Sequence, residues 1–101
     1  MGIIVTGQGG AVTITLSGEI DHHGARAIMN ELEDAVANRV PRELTLDLSG
    51  ISFMDSSGIA VLLRTHRHMR QLGGTMRVTA IPAQSRRVLD AAGMGRIITM
   101  E

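Results

Sequence analysis

The run Ser52-Phe53-Met54-Asp55-Ser56-Ser57-Gly58-Ile59 sets two adjacent hydroxyls and a carboxylate where a strand and loop lead into a helix. Upstream, the alternating leucines of Leu44-Thr45-Leu46-Asp47-Leu48 read as a buried strand. Downstream, Ile59, Leu62, Leu63, His66 and Met69 recur at three- and four-residue steps, which makes one helical face apolar. The hydroxyls therefore fall at a helix N-terminus, where two chemistries compete. Asp, Ser and Gly open helices because their oxygens accept the unpaired N–H groups of the first turn, so Asp55-Ser56-Ser57-Gly58 reads as a cap. The same amides and the positive end of the helix dipole favour an anion, so it also reads as a place that tolerates a phosphorylated serine.

A second polar run, Asp21-His22-His23, raises the question of catalysis. A serine, a histidine and a carboxylate are the parts of a hydrolytic triad, and two histidines with two carboxylates are the parts of a metal site. The pattern fits neither. No Gly-x-Ser-x-Gly elbow surrounds Ser56 or Ser57, and adjacent histidines diverge instead of converging on one ion. Neither a catalytic nor a metal-ligating residue is assigned, and no enzyme is expected. Asp21 is read as a cap of the next helix or a support for the loop around Ser56.

These residues need elements to position them. Ile3 to Thr6 and Ala11 to Ser17 are short β-prone runs joined by Gly7-Gln8-Gly9-Gly10, a connector suited to a hairpin. From about Gly24 to Arg39, Ala25, Ile28, Met29, Leu32, Ala35 and Val36 share one helical arc, with Arg26, Asn30, Glu33 and Asp34 on the opposite, solvent side. Pro41 marks the end of that helix. The order then predicted is strand 44 to 48, helix 57 to 72, strand 76 to 80, helix 83 to 92 and strand 96 to 100. Alternation of this kind implies crossovers and an α/β fold with a small, mostly parallel mixed sheet of about five strands, an N-terminal hairpin and packed helices. Val61 lies off the apolar stripe of its helix, one turn past Ser56, and reads as an exposed contact for a partner.

With 101 residues the chain fits one domain, residues 1–101. Phe53 is its only Phe, Trp or Tyr, so the core must be aliphatic with help from seven Met. Ten Arg and ten acidic residues cancel, and no whole-molecule field draws the chain to nucleic acid or anionic lipid. The one basic cluster, Arg64, His66, Arg67, His68 and Arg70, reads as a solvated helix face with His66 inside the apolar stripe. The absence of Cys fits a reducing compartment, no stretch approaches transmembrane length, and no cleavable leader is apparent, so a soluble cytoplasmic protein is expected.

The run Asp47-Leu48-Ser49-Gly50-Ile51-Ser52-Phe53-Met54-Asp55-Ser56-Ser57-Gly58-Ile59 resembles the signature of the STAS domain, in particular that of bacterial anti-sigma factor antagonists. Gly18-Glu19-Ile20-Asp21-His22-His23 is similar to a run that the sporulation-specific antagonists carry upstream. Gly73-Gly74, the strand-like Met76 to Ala80 and the helical Arg87 to Met94 follow in family order, so the resemblance covers essentially the whole chain. It implies a protein that binds an anti-sigma factor with serine kinase activity and so releases a sigma factor. The partner kinase brings its own ATP, this chain needs no cofactor, and a serine phosphatase reverses the modification. The modified residue is the first serine after the aspartate, Ser56. The implied partner surface comprises Asp21, His22, Met54, Asp55, Ser56, Ser57, Gly58 and Val61. The resemblance leaves open a STAS module of a general-stress or envelope-linked partner switch, or one that senses a small ligand.

Overall fold

Val12, Ile14 and Leu16 alternate with Ala11, Thr13 and Thr15, and a strand built this way buries one face and leaves the other polar. In the computed structural model, which describes residues 2–101, that strand is β2 (Ala11–Ile20). It pairs antiparallel with β1 (Gly2–Gln8) across the two-residue Gly9-Gly10 turn, with Val5 opposite Ile14. The remaining elements are α1 (Ala25–Arg39), β3 (Glu43–Met54), α2 (Ser57–Gln71), β4 (Thr75–Thr79), α3 (Ala83–Ala91), a 3₁₀ turn at Met94–Arg96 and β5 (Thr99–Met100).

The five strands lie in sequence order, and every pair after the hairpin is parallel. Each crossover advances by one position, and crossovers in parallel sheets share one hand, so successive helices fall on the same side. Accordingly α1 and α2 pack against each other as well as against the sheet. Ile28, Leu32 and Val36 of α1 meet Leu62 and Met69 of α2 over Ile14, Leu16, Leu46 and Val78, all essentially without solvent contact. Among the described residues, no helix covers the opposite sheet face. Thr6, Thr13, Thr45 and Arg77 stand in one cross-strand row there, and neighbouring Ile4 is 65% exposed.

Three differences from the sequence expectation have physical causes. First, β3 does not stop at Leu48 but runs to Met54. Alternation breaks after Leu48 because β3 carries two extra residues opposite β2: Thr15 and Ser17 face Asp47 and Gly50, while Gly18 and Glu19 face Ile51 and Phe53. Such bulges reset the phase, so Ile51 and Met54 both point into the core. Second, the strand expected over 96 to 100 is only Thr99–Met100, because the chain first makes the 3₁₀ turn after Gly93. Third, the buried arc of α2 comprises Gly58, Val61, Leu62, Thr65 and Met69, rotated by roughly one residue from the predicted stripe. The stripe assumes one covered face, whereas α2 is covered by both the sheet and α1. Thr65 enters this interior by donating its hydroxyl to the Val61 carbonyl one turn back, at 2.9 Å.

The first bulge depends on Gly50. A Cβ there would stand 2.8 Å from the Leu16 carbonyl oxygen, and that oxygen is backbone that cannot turn aside. Gly50→Ala is expected to destabilise the fold by about 1–3 kcal/mol, the usual range for overpacking, read as a lower urea midpoint at unchanged slope. An unchanged midpoint would mean that the strand pair relaxes freely around the bulge.

Candidate functional site

Asp21 follows β2 directly and turns the chain into α1. Its Oδ1 accepts the backbone N–H groups of His23 at 3.0 Å and Gly24 at 2.7 Å, and its carbonyl accepts that of Ala25 at 2.9 Å. Asp21 therefore caps the turn that opens α1, as its residue type predicts. His22 and His23 are exposed at the tip of this turn, with their rings edge to face.

Asp55 does the corresponding work for α2 and adds a second contact. Its Oδ1 accepts the Ser57 N–H at 2.7 Å, and its Oδ2 accepts the His22 N–H at 3.1 Å. One carboxylate thus caps α2 and ties that cap to the Asp21-His22 turn. These contacts hold the Asp55 carboxyl below its ordinary value of 3.8. The Ser57 amide is the largest cause, partial desolvation opposes it, and the Ser57 hydroxyl, the His22 amide and the charge of the His22 ring reinforce it.

With Asp55 acting as the cap, Ser56 is left over. It occupies the N-cap position of α2, its side chain makes no capping hydrogen bond, and it is exposed. Ser57 is half-buried and faces the cleft between α1 and α2. That cleft is a groove of about 500 Å³, bordered by His22, Arg26, Asn30, Ala60 and Arg64, with Val61 in its floor. Arg64 is paired with Glu33 of α1 at 2.6 Å, which helps hold the two helices side by side. Arg26 and Asn30, expected on the solvent side of α1, border this groove beside Ser57.

Several residues expected at a partner surface are placed elsewhere. Val61 and Met54 have no exposed surface, and Gly58 is buried, so none of the three presents surface to a partner in the folded domain, and Val61 lies only beneath the groove. Val61 is covered because α1 packs on that side of α2. Met54 and Gly58 are packed on each other: a Cβ on Gly58 would stand 2.4 Å from the Met54 Cγ, so glycine lets the first turn of α2 sit directly on the end of β3. Asp21, His22, Asp55, Ser56 and Ser57 are brought together as expected. Two residues escaped the sequence reading. Phe53 is 42% exposed two residues before Asp55, and the sequence signal for it was a lone aromatic beside a polar motif. Gln84 of α3 binds both backbone groups of Met54, and no local pattern announces that contact.

Two observations now meet: a five-stranded sheet helical on one side, and an Asp-capped helix start bearing a free serine. The family model described as STAS domain matches residues 2–101. The chain belongs to the STAS domain family. Over 89 residues this STAS domain is 34% identical to an anti-sigma F factor antagonist of Paenibacillus polymyxa, covering 88% of this chain and 76% of the relative. An anti-sigma-B factor antagonist of Bacillus subtilis is 25% identical over 87 residues, 86% of this chain and 78% of that one. Among solved structures, an anti-sigma factor antagonist from Mycobacterium paratuberculosis superposes with a TM-score of 0.85 at 27% identity, covering 98% of this chain and 83% of that one. The antagonist SpoIIAA in its unphosphorylated form shares the fold, with a TM-score of 0.79 at 24% identity over 99% of this chain and 88% of that one. Among the described residues, no helix is long and apolar enough to cross a membrane, and no three His, Cys, Asp or Glu side chains form a metal-binding group.

A carboxyl whose pKa is lower in the folded than in the unfolded chain stabilises the fold at high pH, and that contribution disappears as pH falls through the folded value. Asp55→Asn removes the charge and leaves one acceptor oxygen for two amides. Its melting temperature should therefore lie below that of the wild type at neutral pH, with a gap that stays constant down to about pH 5 and closes below 3.8. Thermal unfolding followed by circular dichroism from neutral to acid pH checks this, and a gap independent of pH would show that the charge on Asp55 does not hold the site.

Proposed function

We propose that this STAS domain is an anti-sigma factor antagonist of the partner-switching kind. It binds an anti-sigma factor that has serine kinase activity, frees the sigma factor, and is switched off by phosphorylation of Ser56. The carrying observation is the Ser56 hydroxyl: exposed, excused from capping, and held between anchored neighbours. The names of the relatives support the antagonist role. ATP belongs to the kinase, and a serine phosphatase returns the hydroxyl. In this scheme the chain is ligand and substrate, never catalyst, and it contacts neither nucleic acid nor membrane.

The switch is electrostatic. An unmodified hydroxyl can be buried against a partner, whereas phosphate brings nearly two negative charges that the interface must desolvate. Leaving a charge unpaired in an interface costs about 2–5 kcal/mol, more than a tenfold loss of affinity. In the free domain the phosphate gains from the helix dipole but little from first-turn amides. The amides of Ser57, Gly58 and Ile59 already donate to Asp55 Oδ1, the Asp55 carbonyl and the Ser56 carbonyl. The neighbouring Asp55 carboxylate adds repulsion. The partner-facing surface consists of His22, Asp55, Ser56 and Ser57 with the rim of the groove, where Arg26 and Ala60 are exposed. Similarity to an anti-sigma-B antagonist favours a second reading, in which the same switch serves a general-stress sigma factor. Mass spectrometry of what co-purifies with the chain from its host separates the two.

Incubation with the cognate kinase and ATP is expected to add one phosphate, on Ser56, by peptide mapping; phosphate on Ser57 alone would refute the assignment. Ser56→Asp should weaken partner binding, and Ser56→Ala should bind but no longer switch off. Ala60→Arg, which fills the groove mouth from an exposed helix position, should lower affinity more than tenfold by calorimetry. Arg77→Ala on the open sheet face should leave affinity within about 0.5 kcal/mol of wild type. The reverse pattern would move the interface to the bare sheet.

A further inference from the structure

The end of β3 projects past its neighbour. β4 pairs with β3 only as far as Thr79 opposite Asp47, so residues 48–54 have a strand on the β2 side alone. At Met54 the vacant edge is filled by a side chain. Gln84 of α3 accepts the Met54 N–H on its Oε1 at 2.9 Å and donates its Nε2 to the Met54 carbonyl at 2.7 Å. A carboxamide is a planar group that offers a donor and an acceptor together, so it stands in for the missing strand. The next backbone N–H, that of Asp55, points the other way and donates to the Ile20 carbonyl of β2 at 3.1 Å. The single peptide unit joining Met54 to Asp55 is therefore gripped at both ends, its oxygen by α3 and its N–H by β2. From that unit springs the carboxylate that caps α2 and sets the orientation of Ser56.

We propose that Gln84 is a positioning residue of the switch: by holding both backbone groups of Met54 it fixes the direction in which Ser56 is offered to the kinase, and it couples α3 to that hydroxyl. This rests on the reading of Ser56 as the phosphoacceptor. Phosphoryl transfer is sensitive to the placement of the attacking oxygen, and a displacement of about 1 Å costs on the order of a hundredfold in rate. Ser56 itself can stay exposed and chemically intact while losing this alignment. Gln84 touches neither nucleotide nor partner in this scheme, so its effect is on kcat with little change in KM.

The test uses the full chain with Gln84→Ala and Gln84→Glu. In the free protein, amide exchange at Met54 should accelerate about tenfold or more in Gln84→Ala, while amides at Ile14 and Leu46 in the sheet centre keep their protection. With the cognate kinase and ATP, kcat for Ser56 should fall about tenfold and KM change less than about twofold. Gln84→Glu, which still accepts the Met54 N–H but offers the carbonyl no donor, should keep Met54 protected and yet lose rate. Wild-type kcat in both variants, with Met54 exchange raised in Gln84→Ala, would reduce Gln84 to a staple for α3 and overturn the proposal. Wild-type exchange and rate in both variants overturn it as well. A wild-type chain that takes no phosphate on Ser56 would instead bring down the functional reading, and this inference with it.

Discussion

The carboxylate of Asp55 joins segments 33 residues apart, accepting one amide from the turn before α1 and one from the first turn of α2. Remove that bridge and the two polar loops become independent surface turns. With it they form one surface. The bridge also frees Ser56, because a helix start needs a limited number of acceptors and Asp55, not the serine, supplies the side-chain one. A hydroxyl withheld from structural work is one that a partner can bury or a kinase can modify without unfolding the helix behind it.

The bridge works only if the end of β3 is at the right height. Two bulges let β3 run on beside β2 while returning Ile51 and Met54 to the core face. Met54 then packs under Gly58, its backbone is held by Gln84, and the following N–H is taken by Ile20. Rigidity here is local and polar, unlike the aliphatic packing of the sheet centre. It explains why a buried methionine and a buried glycine belong to the site although neither can meet a partner: they set where the exposed residues stand.

The topology divides the surface into two unlike halves. Strands in sequence order place α1 and α2 together on one side, and their cleft opens beside the serine with Arg26 and the Glu33-paired Arg64 on its rim. The other side carries a row of Thr6, Thr13, Thr45 and Arg77, over which no element lies among the described residues. The serine pair at the start of α2 therefore stands at the edge of this groove, on the helical side of the sheet.

Much of this was legible in residue order, for local reasons. Alternation identified β2 and the first half of β3, helical periodicity identified α1 and α2, and the Asp-Ser-Ser-Gly and Asp-His-His runs marked the loops that meet. Capping by Asp21 followed from its residue type alone. What local pattern did not carry was anything set by a second neighbour. The strand looked finished at Leu48 because bulges destroy the period of two. Val61 looked exposed, and Arg26 merely solvent-facing, because a stripe on one helix cannot tell that α1 and α2 cover each other. The roles of Asp55 as a bridge and Gln84 as a substitute strand arise from contacts 33 and 30 residues apart, which depend on where crossovers deliver the chain. Sequence by itself determined which residues can cap, bury or accept phosphate, since those are properties of side chains and their immediate spacing. Tertiary structure alone decided that the Asp55 cap is tied to the Asp21-His22 turn, because that contact joins residues 33 apart and exists only where the crossover brings the two loops together.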